Sequence, residues 1–358
     1  MAPNWFTNLF IEEAKAALES KGNSGSSSGG SSNESWIGDG NTHIWITLSE
    51  GRTSPMLGVC PNGTVTVDWG DGTSPDVLTG TSTSTAKWTP THDYAEPGDY
   101  VITLTVDGET SFYGTSGTNE YSGILRHSSI TDERNSVYKN SVRMIEIGNG
   151  ITSIGSNAFN SCYNITSIKI SGSVTTINES AFKSCYSLTY INIPETVTCI
   201  GDYAFSACYM LASINIPDSV TKIGKYAFRD CYSLTYINIP ETVTSIGDYA
   251  FSTCYSLSSV SLPGSMKIFP GNMFRDCYGL TSINIPASVY HISGNAFYSC
   301  TAMRYYDFTN HTSIPTLASA AVFESVPADC KILVPAALYD EWTIATNWST
   351  FASKIVAV

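Results

Sequence analysis

INIPETVTCIGDYAFSACYMLAS, residues 191–213, decides the fold, because the chain repeats it with variations through its second half. Phe159, Phe182, Phe205, Phe228, Phe251, Phe274 and Phe297 lie 23 residues apart, and so do Cys162, Cys185, Cys208, Cys231, Cys254, Cys277 and Cys300. Two long series in one register mark a solenoid. Each unit is too small to bury its own apolar side chains, so stacking must create the core. Within the unit, Ile191-Asn192-Ile193 reads as a short strand with both isoleucines inward. Pro194, which lacks an N–H, ends the pairing. Val197, Ile200, Ala204, Phe205, Cys208 and Leu211 supply the other inward side chains.

Equivalent strand positions fall at Ile145, Ile168, Ile191, Ile214, Ile237, Val260, Ile283 and Tyr306. They predict eight rungs and, at the usual strand spacing, a parallel sheet about 35 Å long. In the unit from Val260, Met266, Phe269, Pro270 and Met273 replace the usual Val, Ile, Gly and Ala, so a local irregularity is expected there. The IP, IG, AF and C-x-x-L elements across residues 141–308 closely resemble the BspA-type leucine-rich repeat. That resemblance implies a solenoid that presents an extended recognition surface. The cysteine column is expected to be small apolar thiols inside the coil. Zinc is disfavoured, because ligands at a constant period lie along a line rather than around a point.

Outward from the repeats, the period changes to two. HIWITL (residues 43–48), TVTVDW (64–69) and DYVITLTVDG (99–108) alternate apolar and polar residues between turn signals. They predict a small antiparallel β-sandwich over residues 36–110. Gly70 and Gly72 permit a tight turn that Asp71 can bond, and Pro97-Gly98 sets up another. VDWGDGT (67–73) followed by HDYAEPGDYVITLTV (92–106) resembles the polycystic-kidney-disease-type immunoglobulin-like domain, with Asp93 where that pattern has Thr. Asp68, Asp71 and Asp99 are weak calcium candidates, since a hard cation needs several converging oxygens.

Residues 111–140 read as a connector or N-terminal cap, and residues 309–358, with Trp342 and Trp348, as the C-terminal cap that a terminal repeat needs. At the other end, residues 1–21 form an amphipathic pattern in which Trp5, Phe6, Leu9 and Phe10 recur at helical spacing. The Gly/Ser stretch at 22–35 is a flexible linker. The expected fold is thus mainly β: a sandwich, then a solenoid with a parallel sheet, preceded by a short anchoring helix.

The net charge of −13, with only 18 basic residues, argues against nucleic acid as a partner. No run of roughly 20 apolar residues is present for membrane insertion. The first 22 residues also lack the basic start and uninterrupted apolar core of a secretory leader. His43, His92, His127, His291 and His311 are scattered, and no G-x-S-x-G, Walker or H-E-x-x-H motif occurs, so neither catalysis nor a cofactor is expected.

Two columns remain for recognition. Tyr190, Asn192, Asn215, Tyr236, Asn238 and Asn284 point outward from the strand, and Tyr186, Tyr209, Tyr232 and Tyr255 follow the core cysteines. Ordered Tyr and Asn contact sugars or proteins with little entropy loss. The expected role is a bacteriophage virion appendage (a tail, baseplate or head fibre). It would be anchored to virion proteins by the N-terminal helix and would bind a host-surface glycan or protein through the repeats. The alternatives are a bacterial cell-surface adhesin and an accessory module for a carbohydrate-active enzyme. Self-association into a homo-oligomer is left open.

Overall fold

A computed structural model describes residues 36–49, 54–80, 90–112, 125–126 and 140–358. The expected anchor helix with Trp5, Phe6, Leu9 and Phe10, the linker at 22–35 and most of the connector at 111–140 lie outside the described residues. Residues 37–358 form one compact unit, and the fold is mainly β with a stacked parallel solenoid. No described helix is long and apolar enough to cross a membrane.

Each coil contributes strands to two parallel ladders rather than one. The first ladder uses the expected I-N-I segments, among them Ser167–Ile170, Tyr190–Ile191, Tyr236–Asn238, Ser259–Ser261, Ser282–Asn284 and Tyr305–Asp307. The second uses the residues around the Ile-Gly pair, Thr176–Ile177, Cys199–Ile200, Lys222–Ile223 and Ser245–Ile246, paired in strict 23-residue register. The rung at Ile214 has no strand, so the first ladder is interrupted there.

A third set of bonds closes the coil. Phe159, Phe182, Phe205 and Phe228 each donate an N–H to the alanine carbonyl of the next coil at 2.8 Å. This requires two residues per coil in the left-handed region, such as Asn157 and Ser161 or Tyr203 and Ala207, with φ between 57° and 62°. Asn and Asp, as at Asn157 and Asp230, tolerate that region best, whereas Tyr203 and Ala207 adopt it at some cost.

Inside, the phenylalanine column runs unbroken from Phe159 to Phe297, with ring centroids 5.3–6.0 Å apart. No cysteine is in a disulfide, and the seven of the column are buried. From Cys185 to Cys300 six thiols donate to a phenylalanine carbonyl of the preceding coil at 3.2–3.3 Å. The column thus combines a small apolar group with a weak donor aimed at a buried acceptor.

The N-terminal strands are spliced into this solenoid. They are β1 (Thr42–Leu48), β2 (Met56–Leu57), β3 (Val59–Asp68), β4 (Asp76–Gly80), β5 (Gly98–Phe112) and β6 (Leu125–Arg126), followed by β7 (Val142–Ile147) and β8 (Ile151–Ile154) of the first coil. β4, β3, β5 and β1 pair antiparallel in that order, and β2 pairs with β6. β1 then pairs antiparallel with β7, and β5 pairs parallel with β8. One sheet therefore extends from the N-terminal strands into both ladders. β5 runs through the expected boundary at residue 110, and its last residue, Phe112, meets Phe159 at 5.5 Å and heads the ring column. Core residues from Ile44 to Ile355 form one continuous cluster.

The turn after β3 explains the signature residues. Gly70 has φ +78°, and a Cβ there would lie 2.4 Å from the Val101 carbonyl, so only glycine fits. Tyr94 donates to the Trp69 carbonyl at 2.7 Å, and the Trp69 indole donates to Asp76 at 2.9 Å. His92 stacks on Trp69 at 5.0 Å and donates to Asp71 at 2.8 Å.

The expected irregularity is present, and it breaks both ladders. Ser245–Ile246 does not pair with Ile268–Phe269, nor Ser259–Ser261 with Ser282–Asn284. Beyond it, Lys331–Val334 and Ile355–Ala357 extend the first ladder. Helix α1 (Tyr339–Ile344) brings Trp342 against Trp348 and Phe308, which cover the end of the core.

Candidate functional site

The first ladder places its outward side chains in register. Tyr190 lies beside Ser167, Tyr236 beside Ser259, Asn238 beside Ser261, and Asn284 beside Asp307. Alternation buries Ile168, Ile191, Ile237 and Ile283 and turns their neighbours to solvent. Tyr190, Tyr236 and Tyr305 are 52%, 49% and 40% exposed. Tyr190 and Tyr236 are two rungs apart, about 10 Å at the usual strand spacing.

The asparagines divide into two kinds. Asn192 is half-buried, and its amide is committed: Oδ1 accepts from the Ile170 N–H at 2.7 Å and Nδ2 donates to the Ile170 carbonyl at 3.0 Å. It completes the ladder where the Ser167–Ile170 strand ends. Asn215, Asn238 and Asn284 are exposed, and their amides are open to a ligand.

Tyr186, Tyr209, Tyr232 and Tyr255 belong to a stack that runs from Tyr163 to Tyr278, with centroids 4.5–4.9 Å apart and rings within 11° of parallel. They are half-buried, so a ligand can reach edges and hydroxyls but not faces. Burial pushes the Tyr209 and Tyr255 phenols up to about 12. It raises Tyr232 as well, with the Asp230 carboxylate adding to the effect.

A second stack went unread in the sequence: Tyr203, Tyr226 and Tyr249, at 4.6 and 4.7 Å, with Lys183 over Tyr203 and Arg229 over Tyr226. Its signal was available, since these tyrosines share the 23-residue period.

The structure does not bring the calcium candidates together. Asp68 accepts from the Gly70 N–H, Asp71 from Thr73 and His92, and Asp99 from the Thr47 hydroxyl. Among the described residues no group of three His, Cys, Asp or Glu side chains could hold a metal ion. These carboxylates shape turns and strand edges instead.

A stacked solenoid with open outer rows defines the class: a repeat protein that presents an extended surface. The chain belongs to the BspA type leucine rich repeat family, whose model matches residues 103–212 and 198–322. A leucine-rich repeat protein from Bacteroides ovatus is similar at 34% identity and a TM-score of 0.50, over 62% of this chain and 59% of that one. The chain thus spans little more than half the length of that relative. A Treponema pallidum leucine-rich repeat protein is 26% identical, over 45% of this chain and 82% of that one, with a TM-score of 0.40. A leucine rich cell surface protein from Faecalibacterium prausnitzii is 24% identical, over 55% of this chain and 60% of that one, with a TM-score of 0.37. No curated protein matches.

Proposed function

We propose that the chain is a non-enzymatic recognition protein that binds a host-surface glycan or protein through the outer face of the first ladder. The observation that carries this reading is the row of exposed tyrosines, Tyr190, Tyr236 and Tyr305, flanked by the open amides of Asn215, Asn238 and Asn284. Rigid rings with a polar tip, held on a sheet, lose little entropy when they bind. The test is a double variant, Tyr190→Ser with Tyr236→Ser, probed on immobilised glycans and host-envelope fractions. Both side chains are exposed, so melting stays unchanged while binding falls by about tenfold or more. Undiminished binding of the double variant refutes the assignment.

We further propose a virion location, with residues 1–21 as the anchor. Support comes from the apolar stripe followed by a Gly/Ser tether: loop closure and helix ordering both oppose docking back onto the chain, whereas a neighbouring subunit can offer a groove. The second reading, a bacterial cell-surface adhesin, is favoured by the family match and by the similarity to the Bacteroides ovatus protein. Antibody labelling of purified particles and of cell envelopes separates the two. In addition, deleting residues 1–21 should abolish incorporation into particles while leaving the melting of the repeats unchanged. Residues 36–110 are assigned to the polycystic-kidney-disease-type fold on VDWGDGT and HDYAEPGDY, supported by the bonds that join Trp69 and Asp71 to His92 and Tyr94.

A further inference from the structure

Where the second ladder parts, the coils leave a cleft of about 500 Å³ lined by parts of residues 243–248 and 263–270 together with Ser293. The cause is chemical. In the regular coils Gly201, Gly224 and Gly247 each donate an N–H to the isoleucine carbonyl of the preceding coil at 2.8–2.9 Å. The corresponding residue of the next coil is Pro270, which has no N–H, so the Ile246 carbonyl loses its ladder donor. The neighbouring bond is also missing: Thr221 donates to Thr198 and Thr244 to Thr221, but Lys267 does not donate to Thr244. One coil later the pattern resumes, with Tyr290 donating to Lys267 and Ser293 to Phe269.

Two carbonyls and one amide N–H are therefore left without their ladder partners at the cleft. Thr244 and Lys267 are exposed and Ile246 is half-buried, so these groups stand open to solvent and can exchange water for the polar groups of a ligand. The hydroxyls of Ser245 and Ser293, also in the lining, make no hydrogen bond within the protein. Asp248 uses one oxygen to accept from the Gly271 N–H at 2.9 Å and keeps the other. Met266 and Ile268, the latter 46% exposed, add an apolar side.

We propose that this cleft is a binding site for a neutral saccharide of one or two sugar residues. Its volume falls within the range of small-molecule sites. Ring hydroxyls can donate to the Thr244 and Ile246 carbonyls and accept from the serines and the Lys267 N–H, while the C–H face of the ring packs on Met266 and Ile268. The Lys267 ammonium and the Asp248 carboxylate balance one another, which favours an uncharged ligand. An extended peptide is served less well, because a strand edge read by main-chain bonds needs alternating donors and acceptors and Pro270 withholds one. The cleft uses different strands from Tyr190 and Tyr236, so it does not rest on the function proposed for that face.

The test is ligand-observed NMR of the full chain with a panel of neutral mono- and disaccharides of glucose, galactose, mannose and N-acetylglucosamine. At least one sugar is expected to bind. Ser245→Trp, which fills the cleft from an exposed position, and Pro270→Gly, which restores the missing donor, should each weaken it by about tenfold or more. The Tyr190→Ser, Tyr236→Ser variant should bind it unchanged. If Pro270→Gly fails to fold, Ser245→Trp decides alone. The proposal is overturned if no sugar of the panel binds, if binding survives Ser245→Trp, if the tyrosine variant loses it, or if a random peptide library is retained at the cleft instead.

Discussion

Phe228 shows what one residue does in a repeat. Its ring is fully buried and stacks at 5.3 Å on both Phe205 and Phe251. Its N–H is tied to the Ala250 carbonyl of the next coil, so the backbone cannot collapse into the space a smaller side chain would leave. Phe228→Ala should therefore lower the unfolding free energy by about 3–5 kcal/mol in urea titration. A loss below about 1 kcal/mol would show that the column is not core. The ring and thiol columns were legible because burial imposes one residue type at one period. The thiol bonds to the phenylalanine carbonyls were not, because a pattern of spacings carries no bond directions. Tyr203, Tyr226 and Tyr249 hide a further constraint. They occupy the left-handed region, with φ of 57–59°, where other coils place Asn or Ser. That strain is offset by their mutual stacking and by Lys183 and Arg229.

Between elements, the strands that alternate polar and apolar residues were legible, but their attachment was not. Period-two patterning says which face of β1 and β5 is buried and nothing about the partner. The coil end supplies that partner, since an unpaired ladder edge exposes N–H and C=O groups that must be met. Glu146 on β7 fastens the junction. Its nearly buried carboxylate accepts from the N–H groups of Ile37 and Gly38 at 2.9 and 3.2 Å and from Lys169 Nζ at 2.7 Å. Burial alone would raise its pKa, but the Lys169 bond and the two amide bonds outweigh it and hold the group below the usual range. Glu146→Ala removes the charged acceptor of all three donors and should cost about 1–3 kcal/mol. Hydrogen exchange should then quicken at residues 37–38 and stay unchanged in the coils beyond residue 250. Uniform quickening along the chain would mean that the junction does not act locally. The candidate site was half legible for a similar reason: the outward row followed from alternation, while the bond that removes Asn192 from it depends on where the neighbouring strand ends.

At the scale of the whole molecule, titrating groups set a window of stability. His311 is nearly buried in the C-terminal cap against Phe308, with Trp342 nearby, and burial holds its pKa below the usual value. Asp39 is held at about 2, chiefly by the His43 bond. At Asp71 burial opposes ionisation, but the bonds from Thr73 and His92 win and hold it at about 2 as well. Each of these groups binds its proton less tightly in the folded chain than in the unfolded one. Acid therefore favours unfolding, first below about pH 6.5 through His311 and again from about pH 4 towards 2 through the aspartates. The thiols and phenols act oppositely: burial raises Cys208, Cys231 and Cys254 and takes Tyr209 and Tyr255 to about 12. Stability on that side is present below about pH 8.5 and is lost as pH rises towards 12. Calorimetry should accordingly find a plateau in melting temperature between about pH 7 and 8.5 that declines on both sides. His311→Phe, which suits the aromatic surroundings, should remove the first acid step and leave the aspartate step in place. A melting temperature that rises from pH 7 to pH 5 would contradict the assignment, and an acid step that survives His311→Phe would move it to another group.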